Sequence, residues 1–150
     1  MAIPKREIFR INPDDIDENV AIGIDLPLVA QNGTPFSQTH LTIHAAKANL
    51  KNLILTRKGE RPFQPWFGTS IYDFLFDNNI PEMLVKMENE INEAIDYWLP
   101  YLDIRNLEVR VAGSNHGFSD NFNGVQIQID FSLKGNRFSE ESIVVVIGTE

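Results

Sequence analysis

The clearest periodic signal in this chain lies in its last third. Val125, Ile127, Ile129, Phe131 and Leu133 alternate there with Gln126, Gln128, Asp130 and Ser132. A period of two is that of a half-buried strand. Leu107, Val109 and Val111 alternate in the same way with Glu108 and Arg110, and Lys134-Gly135-Asn136 has the composition of a turn. Ile143 to Ile147 is a continuous apolar run that predicts a third strand. A polar, Gly-containing loop is expected from Gly113 to Gly124. Near the start, Val20, Ile22 and Ile24 alternate as a short strand, which Pro27 and Asn32-Gly33 end.

The middle of the chain carries a helical period instead. Ile43, Ala46, Leu50, Leu53 and Ile54 predict a first helix starting after Ser37 or Thr39, both good N-caps, with Lys47 and Lys51 on another face. Arg57 and Lys58 suit its C-terminal dipole end, and Gly59 suits the left-handed C′ position. A short helix is expected over Ser70 to Phe76, with Ile71, Phe74 and Leu75 inward. A long one follows from about Pro81 to Leu99, with Leu84, Met87, Ile91, Ile95 and Trp98 as its buried stripe. Glu82 and Lys86 form an i,i+4 pair on its wet side, and Pro100 ends it. The order β-α-α-α-β-β-β predicts an α+β fold, with helices on one face of a mostly antiparallel sheet.

Composition bounds what such a fold can do. The chain has 150 residues, enough for one domain with a sizeable core. Residues 1–19 read as an arm with an acidic run at Asp14, Asp15, Asp17 and Glu18, of the usually solvated kind, and residues 20–150 as a single domain. The formal net charge is -8, which disfavours nucleic acid. No apolar run is long enough to span a bilayer, and the first eleven residues lack an apolar core of signal-peptide length. The absence of cysteine excludes disulfides, thiolate metal sites and a cysteine nucleophile, and fits synthesis in a reducing cytoplasm. Charge is unevenly placed: residues 36–76 are the one basic block, with five basic and two acidic side chains.

Candidate chemistry is sparse. His40 and His44 stand at i, i+4, a spacing that can seat zinc, but no third ligand and no H-E-x-x-H pattern accompanies them. They read as helix-surface histidines, with no metal and no cofactor expected. Glu60, with Asp73 or Asp77 downstream, could form the carboxylate pair of a glycoside hydrolase, yet 21 acidic residues supply such pairs by chance. No G-x-S-x-G, P-loop or Rossmann fingerprint occurs.

The loop Arg61-Pro62-Phe63-Gln64-Pro65-Trp66-Phe67-Gly68 is more specific. Two prolines forbid regular helix or central strand. Phe63, Trp66 and Phe67 should pack rather than hang in water, covering the open end of the core. Equally, they could form a rigid docking surface flanked by Arg57, Lys58 and Arg61, since Trp and Arg are common anchors at interfaces. The run Ile143 to Ile147 also has two readings. At a sheet edge it would offer unpaired backbone groups to a partner strand; in the centre it would be buried on both faces, which the unbroken apolar run fits slightly better.

The segment from Leu53 to Asn78, 26 contiguous residues, carries a resemblance. Its helix end at Leu55-Thr56, the Gly59 and Arg61 that follow, the two prolines, Phe67-Gly68 and Leu75-Phe76-Asp77 resemble the baseplate wedge family of contractile tails. That family includes the small wedge subunit of T-even phages and related proteins of other contractile injection systems, including type VI secretion. The order of elements extends the resemblance to residues 20–148. It implies a non-enzymatic structural subunit in the tail baseplate of a virion, synthesised and assembled in a bacterial host cytoplasm, in six copies per ring.

Partners implied are other wedge proteins, clamped as a helical bundle, and the sheath subunit, whose first ring would be templated by strand pairing. On this reading Arg57, Lys58, Arg61, Phe63, Trp66 and Phe67 hold the loop or meet the wedge partner. Val125, Ile127, Ile129 and Phe131, with Val144, Val145 and Val146, lie on strands facing or pairing with sheath chains. Relatives often carry Glu-Pro-Arg where the long helix ends; here Leu99-Pro100-Tyr101 keeps the proline and lacks both charges. Contact there must be less ionic, with Pro100 and Tyr101 as its residues and the Tyr101 ring as an aromatic anchor. Some relatives have been labelled lysozyme-like, and a stress-response anti-adaptor also resembles this fold. A tail hydrolase and an anti-adaptor-like binding module are therefore the alternatives.

Overall fold

A computed structural model describes residues 15, 19–28, 36–75, 80–112 and 123–149. Their elements run β1 (Gly23–Ile24), β2 (Gln38–Thr39), α1 (Thr42–Leu55), α2 (Ile71–Phe74), α3 (Ile80–Trp98), β3 (Leu102–Ala112), β4 (Asn123–Leu133) and β5 (Asn136–Thr149). The last three form an antiparallel meander in the order β3-β4-β5, while β1 and β2 make a separate two-residue ladder. The α+β class holds. Phe76, Asp77, Asn78, Asn32-Gly33, His116 and most of the expected acidic arm and 113–124 loop lie outside the described residues.

The alternation of β4 determines the layering. Val125, Ile127, Ile129, Phe131 and Leu133 all point to one face and are buried. Each is worth about 1.5–3 kcal/mol in the core, so a one-residue slip that turned all five outward would cost roughly 10 kcal/mol. The register therefore has one solution: Val109–Ile127–Val145 and Leu107–Ile129–Ile143 lie across the sheet as rows. Two helices cover this face, α3 along β3 and α1 along β5. Met87, Ile91 and Ile95 from α3 and Leu50, Leu53 and Ile54 from α1 complete the core.

The apolar run at the end of the chain occupies an edge rather than the centre. Ile143, Val145 and Ile147 point into the core, but Val144 and Val146 are 51% and 38% exposed on the opposite face. The continuous run concealed an ordinary alternation, because β-branched residues fit a pleated surface on either side.

Two helix boundaries also differ from the sequence reading. Ser37 lies just before β2 and Thr39 within it, and α1 begins at Thr42 after Leu41, which offers no side-chain cap. The cap comes from far away in sequence: one Asp15 oxygen accepts both the Thr42 N–H and its hydroxyl, at 2.7 Å each. Asp15 is thus a structural acceptor, not part of a solvated run. His40 precedes the helix, and its Nδ1 lies 3.1 Å from the Val20 carbonyl oxygen, so the two histidines do not share a helix face. At the other end, Thr56 is the C-cap, and Arg57, Lys58 and Gly59 lie beyond it in a turn. The Glu82–Lys86 pair forms as expected, at 3.0 Å.

Candidate partner-docking site

The aromatic loop starts where α1 stops. Thr56 ends the helix in extended conformation, its hydroxyl donating back to the Asn52 carbonyl at 2.6 Å. The chain then makes an excursion and returns. Thr69 N–H donates to the Thr56 carbonyl at 2.9 Å, and Lys58 N–H to the Thr69 carbonyl at 3.2 Å, closing the excursion like a clasp. The Thr69 hydroxyl, fully buried, donates to the Ile54 carbonyl at 3.1 Å. Gly68 must be glycine here. Its φ is +110°, and a Cβ would collide with the Thr56 carbonyl oxygen.

Inside the clasp, Gly59 N–H donates to the Pro65 carbonyl at 2.8 Å, and two turns bring Gln64 N–H to Arg61 and Phe67 N–H to Gln64. These bonds replace those that the prolines cannot make. The base of the loop is fixed by charge. Arg57 pairs with Asp73, and Lys58 pairs with Glu90 of α3. The same Glu90 oxygen accepts the Ser70 N–H at 3.1 Å, so one carboxylate joins the loop, the start of α2 and the long helix. Arg61 donates to the Asn52 side chain at 3.2 Å and stacks over the Phe67 ring. Phe67 meets the edge of Trp98, with centroids 5.2 Å apart, and Trp98 meets Tyr97 at 5.0 Å.

The three loop aromatics therefore divide. Phe67 packs, but Phe63 is 98% exposed and Trp66 79%. The expectation that all three cover the core is corrected, because the short turns turn the first two rings outward. The expected basic flank is also altered. Arg57, Lys58 and Arg61 all have partners within the chain, so the loop presents an apolar tip on a clamped polar base. Two carboxylates once paired as hydrolase candidates serve that base as well: Glu60 accepts the Arg57 N–H at 3.1 Å, and Asp73 holds its guanidinium. Tyr72, beside them, reaches the Leu55 carbonyl at 3.5 Å. Burial, and then the negative charge of Glu60, hold its phenol above the usual 10.0.

Pro100 and Tyr101 follow directly on α3. The Pro100 carbonyl accepts the Lys134 ammonium at 2.6 Å, and the Tyr101 carbonyl accepts the Lys134 N–H at 2.9 Å. The Tyr101 hydroxyl takes a bond from Asn49 at 3.3 Å, leaving the ring part-exposed.

The strand residues divide as the aromatics do. Val125, Ile127, Ile129 and Phe131 lie on β4, which is paired on both sides, and their side chains are sealed under the helices. They cannot face a partner; their inward direction follows from the core-facing register. Val145 is buried too. Val144 and Val146 alone of the seven present side chains to solvent, on a strand whose outer edge makes no backbone hydrogen bond among the described residues.

Sequence reasoning missed three parts of this arrangement. Glu90 was one carboxylate among many on α3. Asn52 carried no signal as the acceptor for Arg61. Tyr97, 75% exposed beside Trp98, stands off the 84-87-91-95-98 stripe, and that offset was the available signal for an outward aromatic.

Comparison with known proteins accords with this geometry. Residues 44–137 match the family model described as "Baseplate wedge protein gp25". The baseplate wedge protein gp25 of enterobacteria phage T4 is 38% identical over 63 residues, which are 42% of this chain. The match spans 48%, about half, of that curated relative's length. A chain of the anti-feeding prophage baseplate is similar in fold, with a TM-score of 0.59 at 23% identity over 77% of this chain and 86% of that one. So is a protein of Geobacter sulfurreducens provisionally called a tail lysozyme, with a TM-score of 0.56 at 23% identity, over 70% of this chain and 87% of the other. The family match covers more than half of the chain and includes the clasp, the long helix and two of the three sheet strands, so the protein belongs to the baseplate wedge family of contractile tails, whose members are structural parts of the tail baseplate.

Proposed function

We propose that this chain is a non-enzymatic joint in the baseplate, holding a wedge partner with its aromatic loop and receiving a sheath strand on β5. The carrying observation is the exposure of Phe63 and Trp66 on a loop that hydrogen bonds and ion pairs otherwise make rigid. Two large rings in water gain nothing for the isolated chain, and a preorganised aromatic pair loses little entropy on docking. Tyr97 extends the same surface. Pro100 and Tyr101 offer a second, weakly polar contact.

The strand function passes to β5. Its exposed Val144 and Val146, and an outer edge free of backbone hydrogen bonds among the described residues, suit strand addition. The partners on this reading are a helical wedge bundle at the loop and a sheath subunit at the strand, with six copies following the ring symmetry of a tail. The hydrolase alternative is disfavoured by Glu60 and Asp73 both being engaged with Arg57 rather than aimed at a common cleft. An anti-adaptor function has no observation of its own.

Site-specific photocrosslinking in assembled tails tests both halves. A photoreactive residue at position 63 should crosslink to a wedge component, and one at 144 to the sheath subunit. Crosslinks from both positions to the same unrelated protein, or none above a control at the exposed position 89, would overturn the reading.

A further inference from the structure

The two edges of the main sheet differ. On β3 the ladder is interrupted by a register shift between Ile104 and Asn106. Asp103 pairs with Arg105 at 3.2 Å and Glu108 pairs with Arg110 along the same strand. A bulge and a row of charges are how natural sheets close an edge. From Ser142 to Gly148, β5 carries neither.

Beside β5 lies a cleft of about 190 Å³, bounded by Ser142, Ile143 and Val144, by Lys47, Ala48 and Lys51 of α1, and by Asp25 and Leu26. It has room for about six waters at roughly 30 Å³ each, hence for one side chain rather than another layer. Its charges are mostly engaged. Lys47 is bound to Glu141 at 2.9 Å, and the Asp25 carboxylate accepts the Leu26 N–H at 2.8 Å. Lys51 is different: among the described residues its ammonium meets the Leu26 carbonyl alone, at 3.5 Å, and no carboxylate reaches it.

A strand added to β5 would place the residue opposite Ile143 on the same side as Ile143, over this cleft, and its neighbours opposite Val144 and Val146 on the outer face. We propose that β5, and not β3, accepts an extended segment carrying β-branched residues against Val144 and Val146 and one carboxylate that seats at Lys51. This rests on the reading of β5 as the acceptor edge and adds the chemistry of what it accepts. The carboxylate replaces a marginal carbonyl contact with an ion pair in a half-enclosed site, and it fixes the register of a strand whose apolar face alone would allow slippage.

The test uses the full chain and two eight-residue peptides of alternating valine and threonine, one with a central glutamate and one with lysine there. Binding is followed by titration and by amide hydrogen exchange. The glutamate peptide should bind more tightly and protect amides within 141–149, leaving 102–112 unchanged. Lys51→Glu should weaken it about fivefold and strengthen the lysine peptide, with Lys51→Gln between. Protection on β5 with no dependence on either charge would overturn the carboxylate assignment while leaving strand addition standing. Protection on β3, or no binding by either peptide, would overturn strand addition itself.

Discussion

The guanidinium carbon of Arg61 lies 3.8 Å from the centroid of the Phe67 ring. That stack, with the bond from Arg61 to Asn52, fastens the aromatic loop to the end of α1. A part-exposed cation–π contact contributes about 0.5–1 kcal/mol, and the hydrogen bond about 1 kcal/mol. Arg61→Ala should lower stability by about 1–2 kcal/mol. Urea unfolding would register this as a lower midpoint with an unchanged slope. Arg61→Lys should recover only part of the loss, because an ammonium does not stack as a planar guanidinium does.

Gly68 and Gly59 both have positive φ, at +110° and +94°, but only Gly68 is crowded. Gly59→Ala meets open space and bears the conformational penalty alone, about 1–2 kcal/mol. Gly68→Ala adds a collision with the Thr56 backbone and should exceed that by at least about 1 kcal/mol. Thermal unfolding of the two variants side by side should rank them in this order.

Tyr72 links stability to alkaline pH. Its folded pKa is raised by burial and then by Glu60, so the folded state holds the phenol proton more tightly than the unfolded chain. The resulting stability is fully present below the ordinary value of 10.0 and is lost as pH rises through the folded value. Stability measured from pH 8.5 upward should fall above about pH 10, and Tyr72→Phe should flatten that fall. Glu60→Gln should flatten it less, since burial is the larger cause.

Asp15 is the N-cap that α1 lacks locally. Asp15→Ala should cost about 1 kcal/mol, within the range for lost caps. Asp15→Asn should retain most of it, because the amide oxygen can still accept. The comparison is read from thermal melts followed by circular dichroism at neutral pH.

The elements most legible from the sequence were those whose burial has a single period. The five apolar positions of β4 are buried as expected, as are Met87, Ile91 and Ile95 of the α3 stripe, whose ends Leu84 and Trp98 are only partly buried, and the Glu82–Lys86 pair forms. What stayed hidden depends on tertiary neighbours. Nothing local marks Asp15 as the cap of a helix 27 residues away, or separates it from the acids around it. Ser37 and Thr39 have cap chemistry, but their backbone is committed to β2 and its ladder with β1. A run such as Ile143 to Ile147 reads as buried on both faces, because valine at an exposed edge looks like valine in a core. The loop was recognisable by its residues, yet which ring turned inward depended on Trp98, 31 positions later and in a helix of its own.

The central claim is that an aromatic tip, dispensable for folding, attaches this chain to its wedge. Phe63 and Trp66 lie in water, so Phe63→Ala with Trp66→Ala should change stability by no more than about 0.5 kcal/mol. As anchors they should each contribute about 2 kcal/mol or more to docking, roughly 30-fold in affinity. The decisive measurement is the amount of the double variant in baseplates purified from cells, relative to a wedge component, after its fold has been matched to wild type by circular dichroism. The account predicts a folded protein that is depleted from baseplates at least tenfold; incorporation at the wild-type ratio would contradict it.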